Sequence, residues 1–127
     1  HVEAVWFRLE EQQGAATQKA DPLQRAVAHL AFRMQCPLRL TEVAEQVAFT
    51  SAGNLSRLFR KHHGMSFQGY LHKLRLEKAA ELLRSTRLPV ARIAHRVGYR
   101  DVSRFGQHFK RCFQDSPARY RRSAKGE

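Results

Sequence analysis

Shifted by 50 positions without a gap, the chain falls onto itself. Leu38 meets Leu88, Val43 meets Ile93, Ala44 meets Ala94, Val47 meets Val97, Phe49 meets Tyr99, Phe59 meets Phe109, Ser66 meets Ser116 and Tyr70 meets Tyr120. The basic pair Arg60-Lys61 falls on Lys110-Arg111. A register that aligns apolar, aromatic and basic positions together means one supersecondary unit used twice. Any fold for this chain has to hold two copies of it.

The units are helical. "DPLQRAVAHLAFRMQC" puts Leu23, Val27, Leu30, Ala31 and Met34 on one stripe, with Asp21 as the cap and Pro22 at the first position. "LTEVAEQVAF" turns Val43, Ala44 and Val47 inward, with Thr41 and Glu45 near capping-box spacing. In "SAGNLSRLFRKHHG", Leu55, Leu58 and Phe59 share a face and Gly64 ends the helix. "SFQGYLHKLRLEKAAELLRST" carries Phe67, Tyr70, Leu71, Leu74, Ala79, Leu82 and Leu83. No segment alternates with a period of two, so no sheet is expected.

The expected fold is all-α. Two helix-turn-helix subdomains, residues 21–65 and 87–123, are joined by a long linker helix over 66–86, and residues 124–127 form a C-terminal tail. Ala44 and Ala94 lie where the two helices of a unit must approach closely.

A chain of 127 residues holds one domain or two very small ones and leaves little room for a large catalytic fold. Its formal net charge is +12; residues 1–20 carry −1 of that, which leaves +13 on residues 21–127. Such a field favours a polyanion, nucleic acid ahead of an anionic membrane surface. No apolar run approaches the roughly 18 residues that span a bilayer, and no signal peptide is evident, so no membrane role and a cytosolic location are expected. Residues 1–20 read as a tail or linker from a preceding domain. Cys36 and Cys112 sit in apolar helical patterns and are expected to be small core residues rather than a disulfide.

"IAHRVGYRDVSRFGQHFKRCFQDSPARYRR", residues 93–122, resembles the second helix-turn-helix of the AraC/XylS family of bacterial transcription regulators. The shared features are the Ile-Ala start, Gly-Tyr in the turn, Ser-x-Phe, Phe-Lys, Ser-Pro and Tyr-Arg. "LTEVAEQVAFTSAGNLSRLFRKHHGMSFQGYLHKLRLEKAAELL" is similar to the family's first unit and connecting helix, so the likeness covers about residues 22–123. It implies a seven-helix domain that reads two adjacent major-groove segments of promoter DNA in a cytoplasmic, nucleoid-associated regulator. It also implies an activator with RNA polymerase as a further partner, and a sensing or dimerising domain N-terminal to this one. One departure stands out: Gln114 occupies a position where the family carries glycine, while Gly64 keeps it in the first unit. Either backbone strain or a differently ended helix is expected there.

Helical spacing leaves Gly53, Asn54, Ser56, Arg57 and Arg60 facing outward on the first recognition helix. The resemblance puts base reading at Gly53, Ser56 and Arg57, and a guanidinium at Arg57 can bond O6 and N7 of guanine together. On the second, Val102, Phe105, Phe109 and Cys112 form the inward stripe and leave Ser103, Arg104, Gln107, His108, Lys110 and Arg111 outside. The expected base-contacting set is Gly53, Asn54, Ser56, Arg57, Ser103, Arg104, Gln107 and His108. The expected phosphate contacts are Arg60, Lys61, Lys110, Arg111, Arg119 and Arg121. Lys73, Arg75, Lys78, Arg84 and Arg87 read as solvated charges, and Phe59, Phe105, Phe109 and Tyr120 as core.

No metal and no cofactor are expected, because neither His108 with Cys112 nor His62 with His63 is completed into a tetrahedral set. Without a Gly-x-Ser-x-Gly turn or a glycine-rich phosphate loop, an enzyme is not expected; Glu77 and Glu81 read as a surface pair. The rival reading is a basic architectural protein that coats nucleic acid without choosing sequence, and it predicts equal affinity for any duplex. The isolated domain is expected to be a monomer, since two small cores and a linker stripe account for its apolar residues. The intact protein would dimerise through its missing N-terminal domain.

Overall fold

A computed structural model describes residues 21–126; the tail expected at residues 1–20 lies outside that range. Seven helices and no strands occur among the described residues. They are α1 (Pro22–Arg33), α2 (Leu40–Val43, continuing directly into a π-helical turn, Ala44–Ala48), α3 (Ala52–His63), α4 (Phe67–Ser85), α5 (Val90–Arg96), α6 (Val102–Phe113) and α7 (Pro117–Ala124). Caps set most of the starts. Asp21 Oδ1 accepts from the Gln24 N–H at 2.8 Å, and Ser51, Ser66, Asp101 and Ser116 cap α3, α4, α6 and α7 in the same manner. The start of α2 differs from expectation: Arg39 holds the N-cap position without a side-chain bond, and Thr41 falls inside the helix, out of place for a capping box.

Two apolar clusters form. One gathers Leu23, Ala26, Leu30, Val43, Ala44, Ala48, Leu55, Phe59, Phe67 and Leu71; the other gathers Leu76, Ala79, Ala80, Leu83, Ile93, Ala94, Val97, Tyr99, Phe105 and Phe109. The linker helix α4 belongs to both. At about 100° per residue, Phe67 and Leu71 lie on the side of α4 opposite Leu76, Ala79, Ala80 and Leu83. One helix therefore buries one face in the first subdomain and the other face, a turn later, in the second. Helices α3, α5, α6 and α7 pack on α4, while α1 and α2 pack on α3 and on the π-helical turn within the first subdomain.

Several expectations about the core are corrected. Cys112 is exposed and Cys36 half-buried. Beyond Phe109 the inward place goes to Phe113, whose ring stacks on Phe109 at 4.5 Å, because residue 113 rather than 112 continues the four-residue step. On α1 the buried small residue is Ala26, while Ala31 faces solvent. Arg75, read as a solvated charge, is only 9% exposed.

The repeat also breaks at its turns. In the second unit Gly98 takes the positive φ, +106°, and Tyr99 folds inward to 6% exposure. In the first, the π-helical turn hands the left-handed position to Phe49 itself, φ +56°, and leaves its ring 73% exposed beneath the Arg25 guanidinium, 5.6 Å from the ring centre. The one-residue shift in the left-handed position turns the two aromatic side chains in different directions.

At Gln114 the helix ends just as it does at glycine. Gln114 has φ 68° and ψ 14°, Gly64 has φ 70° and ψ 16°, and each backbone N–H closes on the carbonyl four residues back. Of the two expectations, strain is the one realised.

Candidate nucleic-acid interface

The two candidate recognition helices, α3 and α6, are 12 residues each and start 50 positions apart. Each buries a pair four residues apart, Leu55 with Phe59 and Phe105 with Phe109, all four fully enclosed. That fixes which face is left outward. On α3 Gly53, Arg57, Arg60 and Lys61 are exposed and Asn54 and Ser56 half-buried; on α6 Ser103, Arg104, Gln107, Lys110 and Arg111 are exposed and His108 half-buried.

Early on α3 a short polar chain is already built. Asn54 Nδ2 donates to Thr50 Oγ1 at 2.9 Å, and Arg57 Nη2 donates to Asn54 Oδ1 at 2.7 Å. Thr50 thus sets Asn54, and Asn54 sets the fork of Arg57. Spacing had placed Asn54 and Arg57 together but gave no reason to include Thr50, which precedes the helix. Gly53 beside them presents bare backbone: a Cβ built there meets nothing within 4 Å.

On α6 Asp101 Oδ1 accepts from the Ser103 and Arg104 N–H groups at 2.9 and 3.3 Å, so the helix presents both side chains from its first turn. His108 is held differently from its neighbours. Its Nδ1 lies 3.0 Å from the Tyr99 hydroxyl, and its ring packs 5.2 Å from that of His72 on α4. Burial, then His108, Arg75 and Arg104, push the His72 pKa below the ordinary imidazole value. Burial, then Arg111 and Arg104, do the same for His108. Tyr99, whose own pKa is raised chiefly by burial, is the partner that sequence spacing missed.

The expected phosphate set divides. Arg60, Lys61, Lys110 and Arg111 are exposed in the last turns of their helices. Arg119 is exposed and pairs with Asp115 at 3.4 Å, a contact of small energetic weight. Arg121 is half-buried: Nε donates to the Leu83 carbonyl at 3.2 Å and Nη2 to that of Thr86 at 3.3 Å, capping the end of α4. Among the described residues no group of three or more His, Cys, Asp or Glu side chains could hold a metal, and no helix is long and apolar enough to cross a membrane.

Known proteins share this arrangement. A family model described as a helix-turn-helix domain matches residues 43–123. An uncharacterised HTH-type transcriptional regulator of Haemophilus influenzae is 40% identical over 82 residues, which make up 65% of this chain and 28% of that protein. The fold is similar to a transcriptional regulator from Chromobacterium violaceum described as containing an AraC-type DNA-binding domain, with TM-score 0.77, 25% identity, and coverage of 87% of this chain and 96% of that one. It is also similar to the DNA-binding domain of the global transcriptional factor AdpA, solved in complex with a target DNA, with TM-score 0.78, 28% identity, and coverage of 84% and 96%. The chain spans about a third of the length of the curated relatives it matches. With two helix-turn-helix units on one linker helix and a family match over residues 43–123, the chain belongs to the AraC/XylS family of transcription regulators and carries its DNA-binding domain.

Proposed function

We propose that this domain binds double-stranded promoter DNA sequence-specifically, with α3 and α6 entering adjacent major-groove segments. The observation that carries this reading is the pairing of two capped, basic helices in one repeat register, each exposing its early polar residues beside a fully buried pair. Arg57, oriented by Asn54, and Ser56 read bases from α3, where Gly53 allows the backbone to come close. Ser103, Arg104 and Gln107 read from α6, with His108 at the edge of the contact. Arg60, Lys61, Lys110, Arg111 and Arg119 hold phosphates. Arg121 contributes less to DNA than its sequence position suggests, since its fork is turned to the carbonyls of α4.

The readers are unequal, so one copy recognises an asymmetric site with half-sites about one helical turn, roughly 34 Å, apart. The isolated domain binds as a monomer, and dimerisation belongs to other parts of the intact protein. The function is binding in the bacterial cytoplasm, on the nucleoid, with activation through contact with RNA polymerase.

The test is selection from a random duplex pool at near-physiological salt. Two different, non-palindromic motifs about one turn apart are the expected result. Tight, salt-sensitive binding with no enrichment would instead favour coating of nucleic acid without sequence choice.

A further inference from the structure

Arg75 is the buried charged residue among those described, at 9% exposure. It lies on α4 between Leu74, which packs against the first cluster, and Leu76, the first α4 residue of the second. Its Nε donates to the Met34 carbonyl at 2.7 Å and its Nη2 to the Cys36 carbonyl at 2.9 Å. Both carbonyls belong to the segment that leaves α1 in the first subdomain. From the other side Gly98, in the turn of the second subdomain, comes so near that a Cβ there would stand 2.9 Å from Nε and 2.9 Å from the Met34 oxygen. One guanidinium thus joins the linker to the first subdomain while the turn of the second closes over it.

A guanidinium is suited to that place. It is planar, its donors are fixed in direction, and two of them are satisfied by backbone oxygens that cannot rotate away. The apolar packing of each subdomain is built from other side chains, and Arg75 adds polar bonds between the linker and the segment after α1. What Arg75 adds is angular: it opposes rotation of the first subdomain about α4.

We propose that Arg75 is a positioning residue for two-groove recognition, fixing α3 relative to α6 and thereby the half-site separation that the protein accepts. This rests on the reading that both helices enter one duplex. When two reading elements are rigidly linked, the second binds at high effective concentration only where the link fits the span; a looser link lowers that advantage at the best spacing and tolerates others.

The experiment uses the bipartite site found by selection, with its spacer shortened and lengthened by one base pair, against wild type, Arg75→Lys and Arg75→Met. The lysine keeps the charge, but its one nitrogen on a flexible stem replaces the two nitrogens that the planar fork holds in fixed directions against the two carbonyls. Wild-type affinity is expected to fall sharply off the best spacing. In Arg75→Met the best spacing should lose about tenfold while the altered spacings lose less than about twofold, with Arg75→Lys between the two. Base preference within each half-site should stay as it was. A folded variant with the wild-type spacer profile, or one that loses affinity equally at every spacing, overturns the proposal. Should Arg75→Met fail to fold, Arg75→Lys alone decides by the same criterion. A wild type indifferent to spacing overturns the two-groove reading itself, and this proposal with it.

Discussion

Arg57 donates to Asn54 one turn before it on α3, Nη2 to Oδ1 at 2.7 Å, so the fork of the arginine is oriented before any DNA arrives. A guanidinium held in this way loses less freedom on binding than a free one. Arg57→Ala is expected to cost about 1 to 3 kcal/mol of binding and to relax preference at one base position. Asn54→Ala should weaken the same position by a smaller amount. Lys110→Ala, by contrast, should weaken all duplexes alike and reduce the salt slope by about 1. Titrations of matched and single-mismatch duplexes at several salt concentrations check this, and specificity lost with Lys110 but kept without Arg57 would reverse the assignment.

Gly53 separates binding from stability. It lies in the first turn of α3 with open space where a side chain would be, and it does not need a positive φ. Gly53→Ala should therefore leave the fold intact and stabilise it by up to about 1 kcal/mol through helix propensity. If the backbone approaches DNA there, the same methyl group should weaken specific binding. Thermal unfolding and duplex titration on one sample give both readings; unchanged affinity would mean that Gly53 stands clear of the groove.

How much of this was legible in the sequence follows from what each feature depends on. The repeat, the caps at Asp21 and the inward pairs Leu55-Phe59 and Phe105-Phe109 depend on local spacing, and spacing was enough. Arg75, Arg121 and Tyr99 depend on partners 41, 38 and 9 residues away, which no helical period encodes. Arg75 reads as one more surface cation on an i,i+3/i+4 pattern until the segment after α1 is folded against it. Cys112 failed for a narrower reason: both 112 and 113 lie within reach of the stripe, and the larger apolar ring of Phe113 took the half-buried place against Phe109. The aligned repeat pairs Phe49 with Tyr99, but a π-helical turn shifts the left-handed residue by one and the two rings part.

Gln114 holds a left-handed conformation that glycine adopts without steric cost, and its backbone N–H still closes on Lys110 at 2.8 Å. Gln114→Gly should stabilise the domain by about 0.5 to 1 kcal/mol, the relief of strain being partly offset by greater freedom in the unfolded chain. Gly64→Ala, at the matching position of α3, should destabilise by a similar amount. Chemical denaturation of the three proteins settles the signs; equal stability of Gln114→Gly and wild type would show that the amide side chain, 3.5 Å from the Arg111 carbonyl, already compensates.

His72 and His108 give the domain a defined response to acid. Both pKa values are lowered in the folded protein, by burial first and then by neighbouring cationic groups, including Arg104 at each. A histidine depressed in this way binds its proton more readily once the chain unfolds. Its contribution to stability is therefore complete above the unfolded value of about 6.5 and declines as pH falls below it, until the folded form is protonated as well. Unfolding midpoints should consequently drop between pH 7.5 and 5 more steeply for wild type than for His72→Gln, which removes one of the two titrating rings. The double variant His72→Gln, His108→Gln should flatten the profile further, although the loss of the Tyr99 contact at His108 lowers its midpoint at every pH. Parallel pH profiles for all three proteins would assign the acid sensitivity to other groups.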